Sequence, residues 1–162
     1  MPIIKRNDIF IYIAVILICA VNYISLNNNI EITLFPHKTA MEYLFGYKFI
    51  FNESLGYEQT NGLFIIARNC SGIKLFISLF LIMIFGFLHK YTGLKRKITA
   101  AAVFYFISLV LALIITIIRI AISVPFCTWS RFHLIHNILS LTVYFMSGLI
   151  LYFIMERKAA AL

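Results

Sequence analysis

The stretch ITAAAVFYFISLVLALIITIIRIAISV, residues 98–124, decides the fold of this chain, because Arg119 is its only charged residue. A helix needs about 20 mainly apolar residues to span the ~30 Å hydrocarbon core of a bilayer, and this run exceeds that length. Shorter runs of the same kind occupy residues 9–26, 73–88 and 137–155. The sequence therefore predicts an all-α integral membrane protein with about four transmembrane helices, forming a single membrane domain.

The composition supports a membrane protein. Of the 162 residues, 62% are hydrophobic and 12% are charged, and the mean hydropathy is +0.96. A soluble domain carries about 25% charged residues, so lipid must serve as part of the solvent. Lys5 and Arg6 precede the first apolar run as in a signal peptide. That run is long, however, and residues 21–27 form a poor small-residue cleavage site, so we expect a retained anchor.

Basic residues in the short loops predict the orientation, because Lys and Arg collect on the cytoplasmic side. The opposite side holds the outer segment, residues 27–72, in which four glutamates outnumber Lys38, Lys48 and Arg68. Both termini are therefore predicted to be cytoplasmic, and topology explains the net charge of +8 better than nucleic-acid binding does. The basic residues on the predicted cytoplasmic side are Lys5, Arg6, Lys90, Lys95, Arg96, Lys97, Arg157 and Lys158.

The outer segment begins with Asn27-Asn28-Asn29 and Phe35-Pro36, which are turn or helix-breaking signals. An alternating aromatic run follows, and alternation at period two predicts an extended segment with one apolar face. This run consists of Tyr43, Phe45, Tyr47, Phe49 and Phe51, and the glycines expected to punctuate strands and turns are Gly46, Gly56 and Gly62. We expect either an interfacial lid on the helix bundle or a substrate groove.

Cys70 lies at the predicted outer start of the second helix, in Cys70-Ser71-Gly72. The helix dipole and its unpaired N–H groups favour the thiolate, the nucleophilic form of cysteine. Arg68 and Lys74 act in the same direction. The alternative is a small apolar filler or half of a disulfide with Cys127, which falls on the same side. Cys19, in the middle of the first helix, is expected to be packing.

Arg119 lies about five residues inside the outer end of its apolar run, roughly 7 Å at the helical rise. Such a residue costs several kcal/mol unless it is paired or snorkels to the interface. If Arg119 faces the interior instead, it provides a fixed cation that binds a carboxylate or stabilises an oxyanion.

His133 and His136 lie at the predicted outer start of the last helix and share a face, since they are three residues apart. Three interpretations compete for this pair. One histidine could be a general acid and base, because its pKa is ordinarily near working pH. The two could bind a metal, or they could be interfacial polar residues without chemistry.

The order of these motifs resembles the exosortase and archaeosortase family of membrane-embedded cysteine transpeptidases. Cys70-Ser71-Gly72 is similar to the family's Cys-x-Gly motif, Arg119-Ile120 to its arginine motif, and His136, or alternatively His133, to its histidine. The resemblance covers residues 62–153.

Three features depart from the family pattern. Thr116 stands where many members have Asn, Ser140 stands where many have Gly, and four helices are predicted where about eight are common. The chain is therefore most similar to a compact branch of the family, such as exosortase K. The spacing to Ser140 favours His136 over His133.

The resemblance implies cleavage of C-terminal sorting signals on membrane-anchored, exported proteins at the outer leaflet. Cys70 would attack the scissile carbonyl, Arg119 would stabilise the oxyanion, and His136 would protonate the leaving amine. An envelope lipid or glycan would then resolve the thioester. No metal or organic cofactor is implied.

Two other classes of function fit the same residues. In a small non-enzymatic membrane subunit, Arg119 would pair with a partner helix. In a metal or haem membrane protein, His133 and His136 would be ligands, with His89 as a third. His89, however, falls at the predicted cytoplasmic end of the second helix, roughly a bilayer away from the other two.

Overall fold

The computed structural model describes the backbone of residues 6–127 and 132–160, and the side chains of residues 9–127, 132, 134 and 136–157. Lys5 and the side chains of Arg6, His133 and Lys158 lie outside this description. The helices are α1 (Arg6–Asn28), α2 (Ile30–Phe45), α3 (Ile73–Phe87), α4 (Leu94–Ser123) and α5 (Phe132–Ala160). The strands are β1 (Phe49–Asn52), β2 (Gly56–Gln59) and β3 (Ile65–Ala67), and 3₁₀ turns cover Arg68–Cys70, Leu88–Lys90 and Val124–Phe126.

Four of these helices are long and apolar enough to cross a membrane, which confirms the predicted all-α membrane protein. The candidate spans are Ile9–Asn28, Arg68–Lys90, Leu94–Phe126 and His136–Arg157. They agree with the predicted runs to within one or two helical turns. The chain is thus a multi-pass helical membrane protein, with α2 and a small sheet inserted between the first two spans.

The span that contains α3 is central to the bundle. Within its apolar window 56% of the residues are buried, against 22% in the α4 span, 11% in the α1 span and 6% in the α5 span. Helices α1, α4 and α5 all contact α3. The other spanning helices therefore direct most of their side chains outward, where lipid replaces a protein neighbour. The buried α3 residues are Ile73, Leu75, Phe76, Leu79, Phe80, Met83, Ile84 and Phe87.

Helix α2 shows that the break expected at Phe35-Pro36 is wrong, and so is the extended conformation expected for the first two residues of the aromatic run, Tyr43 and Phe45. Pro36 lies inside this helix, although proline in a helix interior costs about 3 kcal/mol relative to alanine. The helix forms because it buries one face against α4 and the sheet, and tertiary packing of this kind overrides local propensity. The buried face consists of Ile30, Leu34, His37 and Met41, and the aromatic residues of the predicted extended run that belong to α2 are Tyr43 and Phe45.

The later part of the outer segment forms the expected strands and turns, in the order β1-β2-β3. Phe51 and Tyr57 face each other across β1 and β2, with ring centroids 5.2 Å apart. The predicted glycines Gly46, Gly56 and Gly62 all have positive φ. A second apolar cluster joins α2, the sheet and the C-terminal end of α4, and it includes Leu34, Met41, Tyr57, Ile66, Cys70, Ile120 and Val124. The outer segment is therefore a cap on the helix bundle.

Gly72 sets the distance between the start of α3 and α4. Its φ is 72°, and an ideal Cβ at this position would lie 2.4 Å from Oγ1 of Thr116. A side chain here would meet both backbone strain and a collision with a residue that is fully buried. The glycine of Cys70-Ser71-Gly72 thus lets the cysteine turn approach α4 closely.

We predict that Gly72→Ala destabilises the protein by roughly 2–4 kcal/mol, since left-handed strain adds to overpacking. Gly46→Ala is the matched control, because Gly46 has a similar φ of 69° but no heavy atom within 4 Å of its ideal Cβ. It should cost only the strain, about 1 kcal/mol. Thermal unfolding in detergent measures both changes, and equal losses for the two variants would contradict the close contact with Thr116.

Candidate active site

Cys70 lies in the 3₁₀ turn that links β3 to α3, and its side chain is only 5% exposed. The turn places the thiol beside the N-terminus of α3, as the sequence predicts. Its Sγ faces α5, where Nε2 of His136 lies 3.8 Å away. Cys70 and His136 are therefore within contact distance, in the geometry of a nucleophile and its base.

His136 lies at the start of α5, about one turn after the helix begins at Phe132. Its Nδ1 is 3.3 Å from Oγ of Ser123, which lies in the last turn of α4. Ser123 donates its hydroxyl hydrogen to the carbonyl of Arg119 at 2.8 Å. Because a serine has one hydrogen to donate, it accepts from Nδ1–H of His136. This assignment leaves the Nε2 lone pair directed at Cys70.

The side chain of His133, the alternative histidine, lies outside the described residues. The contacts with Cys70 and Ser123 therefore concern His136 alone.

Arg119 faces the interior of the protein, and its side chain is 2% exposed. Nη1 donates to Oη of Tyr144 at 2.7 Å and to Oγ of Ser140 at 3.2 Å. The guanidinium carbon also lies 5.3 Å from the centroid of the Tyr144 ring, a cation–π distance. Arg119 is thus solvated by protein groups, and it neither snorkels to the interface nor reaches a lipid-facing surface where a partner helix could pair with it.

The guanidinium of Arg119 also interacts with the Cys70 side chain. Its Nε and Nη2 are buried and make no hydrogen bond to the described residues. Buried donors without a partner cost about 1–3 kcal/mol each, so they suit a negatively charged oxygen that is present only during a reaction.

A cavity of about 630 Å³ contains these groups, a volume in the usual range for ligand sites. Its lining includes Cys70, Arg119 and His136, together with residues from α1, the sheet and α5. Arg68 and Lys74 add two further cations, and no Asp or Glu is among the described residues that line it. The cavity therefore favours electron-rich groups.

The three cysteines are free thiols, which contradicts the alternative of a disulfide between Cys70 and Cys127. Cys127 lies in the turn after α4 and lines the same cavity. Cys19 is buried against α3, as expected for a packing residue.

Among the described residues, no three His, Cys, Asp or Glu side chains are grouped to hold an ion. The alternative of a metal pair formed by His133 and His136 falls on the side chain of His133, outside the described residues. His89 lies in the 3₁₀ turn beyond the far end of α3. The 15 residues of α3 separate it from the cavity, about 22 Å along the helix. His89 and His136 therefore do not share a site.

Sequence reasoning overlooked three residues around the site, namely Ser123, Tyr144 and His37. Two of them had a detectable signal, because Ser123 is four residues after Arg119 and Tyr144 is eight after His136, which is helical spacing. His37 had no such signal, since it directly follows Phe35-Pro36, where a turn or a helix break was predicted.

His37 is 2% exposed, and neither ring nitrogen meets a well-aligned hydrogen-bond partner in the described residues. Burial lowers the pKa of His37 from 6.5 to about 4; the Thr33 backbone partly opposes this change and the charge of Arg119 adds to it. His37 is therefore neutral at physiological pH, which keeps a second positive charge away from Arg119.

No protein-family model matches the sequence, no curated protein is detectably similar to it, and no solved structure matches its fold. Its function therefore has to be inferred from the geometry of the cavity.

We predict that His37 makes the stability of the protein depend on pH. Because the folded-state pKa of about 4 is below the ordinary value of 6.5, the unfolded chain binds the proton more readily between these values. The stability from neutral His37 is complete above about pH 6.5 and falls by about 3 kcal/mol as the pH drops toward 4.

His37→Leu should therefore flatten the curve of unfolding free energy against pH in this window. The control is His89→Leu, which removes an exposed histidine and should leave the slope unchanged. Denaturant unfolding in detergent at several pH values measures the slopes, and equal slopes for His37→Leu and the unaltered chain would contradict the prediction.

Proposed function

We propose that this chain is a membrane-embedded cysteine protease or transpeptidase of the exosortase type, which cleaves C-terminal sorting signals of exported proteins through a Cys70 thioester. The observation that carries the proposal is the distance of 3.8 Å between Sγ of Cys70 and Nε2 of His136, in a cavity that also contains the buried Arg119. These three residues match the three motifs of the resemblance in chain order.

In the first step, Nε2 of His136 removes the thiol proton, and the Cys70 thiolate attacks the scissile carbonyl carbon. The carbonyl electron pair moves onto oxygen, where the free Nε–H and Nη2–H groups of Arg119 stabilise the oxyanion. Collapse of this intermediate breaks the C–N bond. The leaving amine takes the proton from His136, and the acyl group stays on Cys70 as a thioester.

In the second step, His136 removes the proton of an incoming nucleophile, which attacks the thioester carbonyl carbon. The C–S bond breaks, and the departing Cys70 thiolate takes the proton back from His136. Water gives hydrolysis, and an amine or hydroxyl on an envelope lipid or glycan gives transfer. Ser123 acts through His136, because its hydroxyl holds Nδ1 and so maintains the tautomer that the proton transfer needs.

The proposal includes an orientation, with both termini cytoplasmic and the cavity toward the outer face. The connection between α3 and α4 supports it, since the 3₁₀ turn that ends at Lys90 and the first turn of α4, with Lys95, Arg96 and Lys97, lie at the membrane end opposite the cavity. A substrate helix beside the bundle, with its basic tail on the same side as this connection, would present the peptide just outside the membrane to Cys70.

We predict that substitutions in the cavity separate the three roles. Cys70→Ser should abolish the thioester, and His136→Asn should slow its formation by about 10²–10⁴-fold. Arg119→Lys keeps the charge but loses the planar set of donors, and it should slow the reaction by about 10²–10³-fold. Cys127→Ser, which has no role in this mechanism, should leave activity intact.

The measurement is mass spectrometry of the tagged chain purified from membranes, with hydroxylamine used to release any acyl group held as a thioester. The released peptides should map to sequence just outside a C-terminal transmembrane helix. A Cys127→Ser variant as inactive as Cys70→Ser, or the absence of any hydroxylamine-sensitive adduct on Cys70, would refute the proposal.

A further inference from the structure

Strand β3 leads directly into the nucleophile, since it ends at Ala67 and the turn Arg68–Cys70 follows. Among the strands that the structure describes, β3 is at one edge of the sheet, with β2 as its only neighbour. An edge strand presents main-chain N–H and C=O groups that can pair with another extended chain. The direction of these groups therefore decides whether β3 can bind a ligand.

The register shows which main-chain groups of β3 point away from β2. The N–H of Gln59 donates to the carbonyl of Phe64 at 2.9 Å, so Gln59 and Phe64 form a hydrogen-bonded pair. Hydrogen-bonded and non-hydrogen-bonded pairs alternate along an antiparallel ladder. Tyr57 and Ile66 are therefore the next bonded pair, and the N–H and C=O of Ile65 point outward.

The other side of β2 supports this alternation. There the N–H of Thr60 donates to the carbonyl of Lys48 at 3.0 Å, and so Glu58 directs its main-chain groups toward β1. Since Glu58 lies opposite Ile65 in the register, it offers Ile65 no ladder hydrogen bond. The N–H and C=O of Ile65 therefore point toward the free edge of β3.

The free edge of β3 faces the cavity. Ile65 and Ala67 line the cavity, whereas Ile66 between them does not and is fully buried in the core. The backbone of Ala67 also interacts with the Cys70 thiol, which places this end of the edge beside the nucleophile. A chain lying along β3 would therefore run toward Sγ of Cys70.

We infer that the free edge of β3 binds an extended stretch of the polypeptide substrate by main-chain hydrogen bonds, with Ile65 pairing to one substrate residue; this inference rests on the proposed function. Ile65 offers a donor and an acceptor in the arrangement that a strand presents, and an extended peptide carries the matching pair on alternate residues. A lipid chain or a sugar ring lacks this repeat.

The rest of the cavity lining also suits an extended peptide. Leu55, Leu63 and Phe64 give the cavity apolar walls, and its charged lining residues in the described chain are all cations. The apolar walls can pack against substrate side chains, and the cations attract the oxygens of peptide carbonyls. Because Ile65 and Ala67 are two residues apart, the substrate residue that pairs with Ile65 lies roughly 6.6 Å along the strand from the one at Cys70.

The test uses acetyl-tetra-alanyl chloromethyl ketone, a peptide reagent that alkylates thiols, on the purified full chain, with iodoacetamide as a reagent that lacks a peptide backbone. Mass spectrometry follows alkylation at Cys70. N-methylation of each amide of the peptide reagent in turn should slow the reaction about tenfold at one amide and little at its neighbours, because only alternate residues face β3.

The matching variant is Ile65→Pro, which removes the outward N–H without breaking a ladder bond to β2. It should slow the peptide reagent about tenfold and leave the iodoacetamide rate unchanged. Ile65→Val, which keeps the N–H and a branched side chain, should restore the peptide rate. If the proline variant does not fold, the N-methyl series on the unaltered chain decides alone.

Equal sensitivity to N-methylation at every amide, or at none, would overturn the inference, as would equal peptide rates in Ile65→Pro and Ile65→Val. These results do not contradict the proposed function as long as iodoacetamide still alkylates Cys70 and His136→Asn still slows that alkylation. A Cys70 that iodoacetamide does not alkylate would instead refute the proposed function, and the strand inference with it.

Discussion

The burial of Arg119 constrains the structure around it, because a guanidinium inside an apolar helix must be solvated by protein groups. Tyr144 and Ser140 supply that solvation from α5, so α5 has to dock beside the C-terminal turns of α4. The same docking brings His136 to Ser123, and Ser140 donates to the carbonyl of His136 at 2.6 Å. The docking of α5 that solvates Arg119 thus also positions His136.

The outer segment brings Cys70 to this pair by an independent route. The buried face of α2 and the core face of the sheet form an apolar cluster with Ile120 and Val124 of α4, which holds the end of β3 over the helix bundle. Gly72 then lets the turn after β3 approach Thr116 more closely than any side chain would allow. The position of Cys70 therefore depends on the cap, and the position of His136 depends on the bundle.

The cavity and the packing beside it contain buried polar groups that a stable core would avoid. Both ring nitrogens of His37, the Thr116 hydroxyl and two nitrogens of Arg119 are buried without a hydrogen-bond partner in the described residues, although each such group costs about 1–3 kcal/mol. Sites that stabilise a charge formed only during a reaction carry costs of this kind, because their donors are already in place before the charge appears. The apolar packing of the α3 core offsets the cost of these unpaired groups.

The four spans follow from the sequence alone, since the length of an apolar run can be compared directly with the thickness of a bilayer. The same runs placed Cys70, Arg119 and His136 near helix ends. The sequence prediction failed for α2, where burial of one face outweighs the breaking signal of Pro36. The contact between Cys70 and His136 joins residues 66 positions apart. This contact could not be predicted from the sequence, because the rotation and docking of the helices depend on packing among all the elements, which no local pattern records.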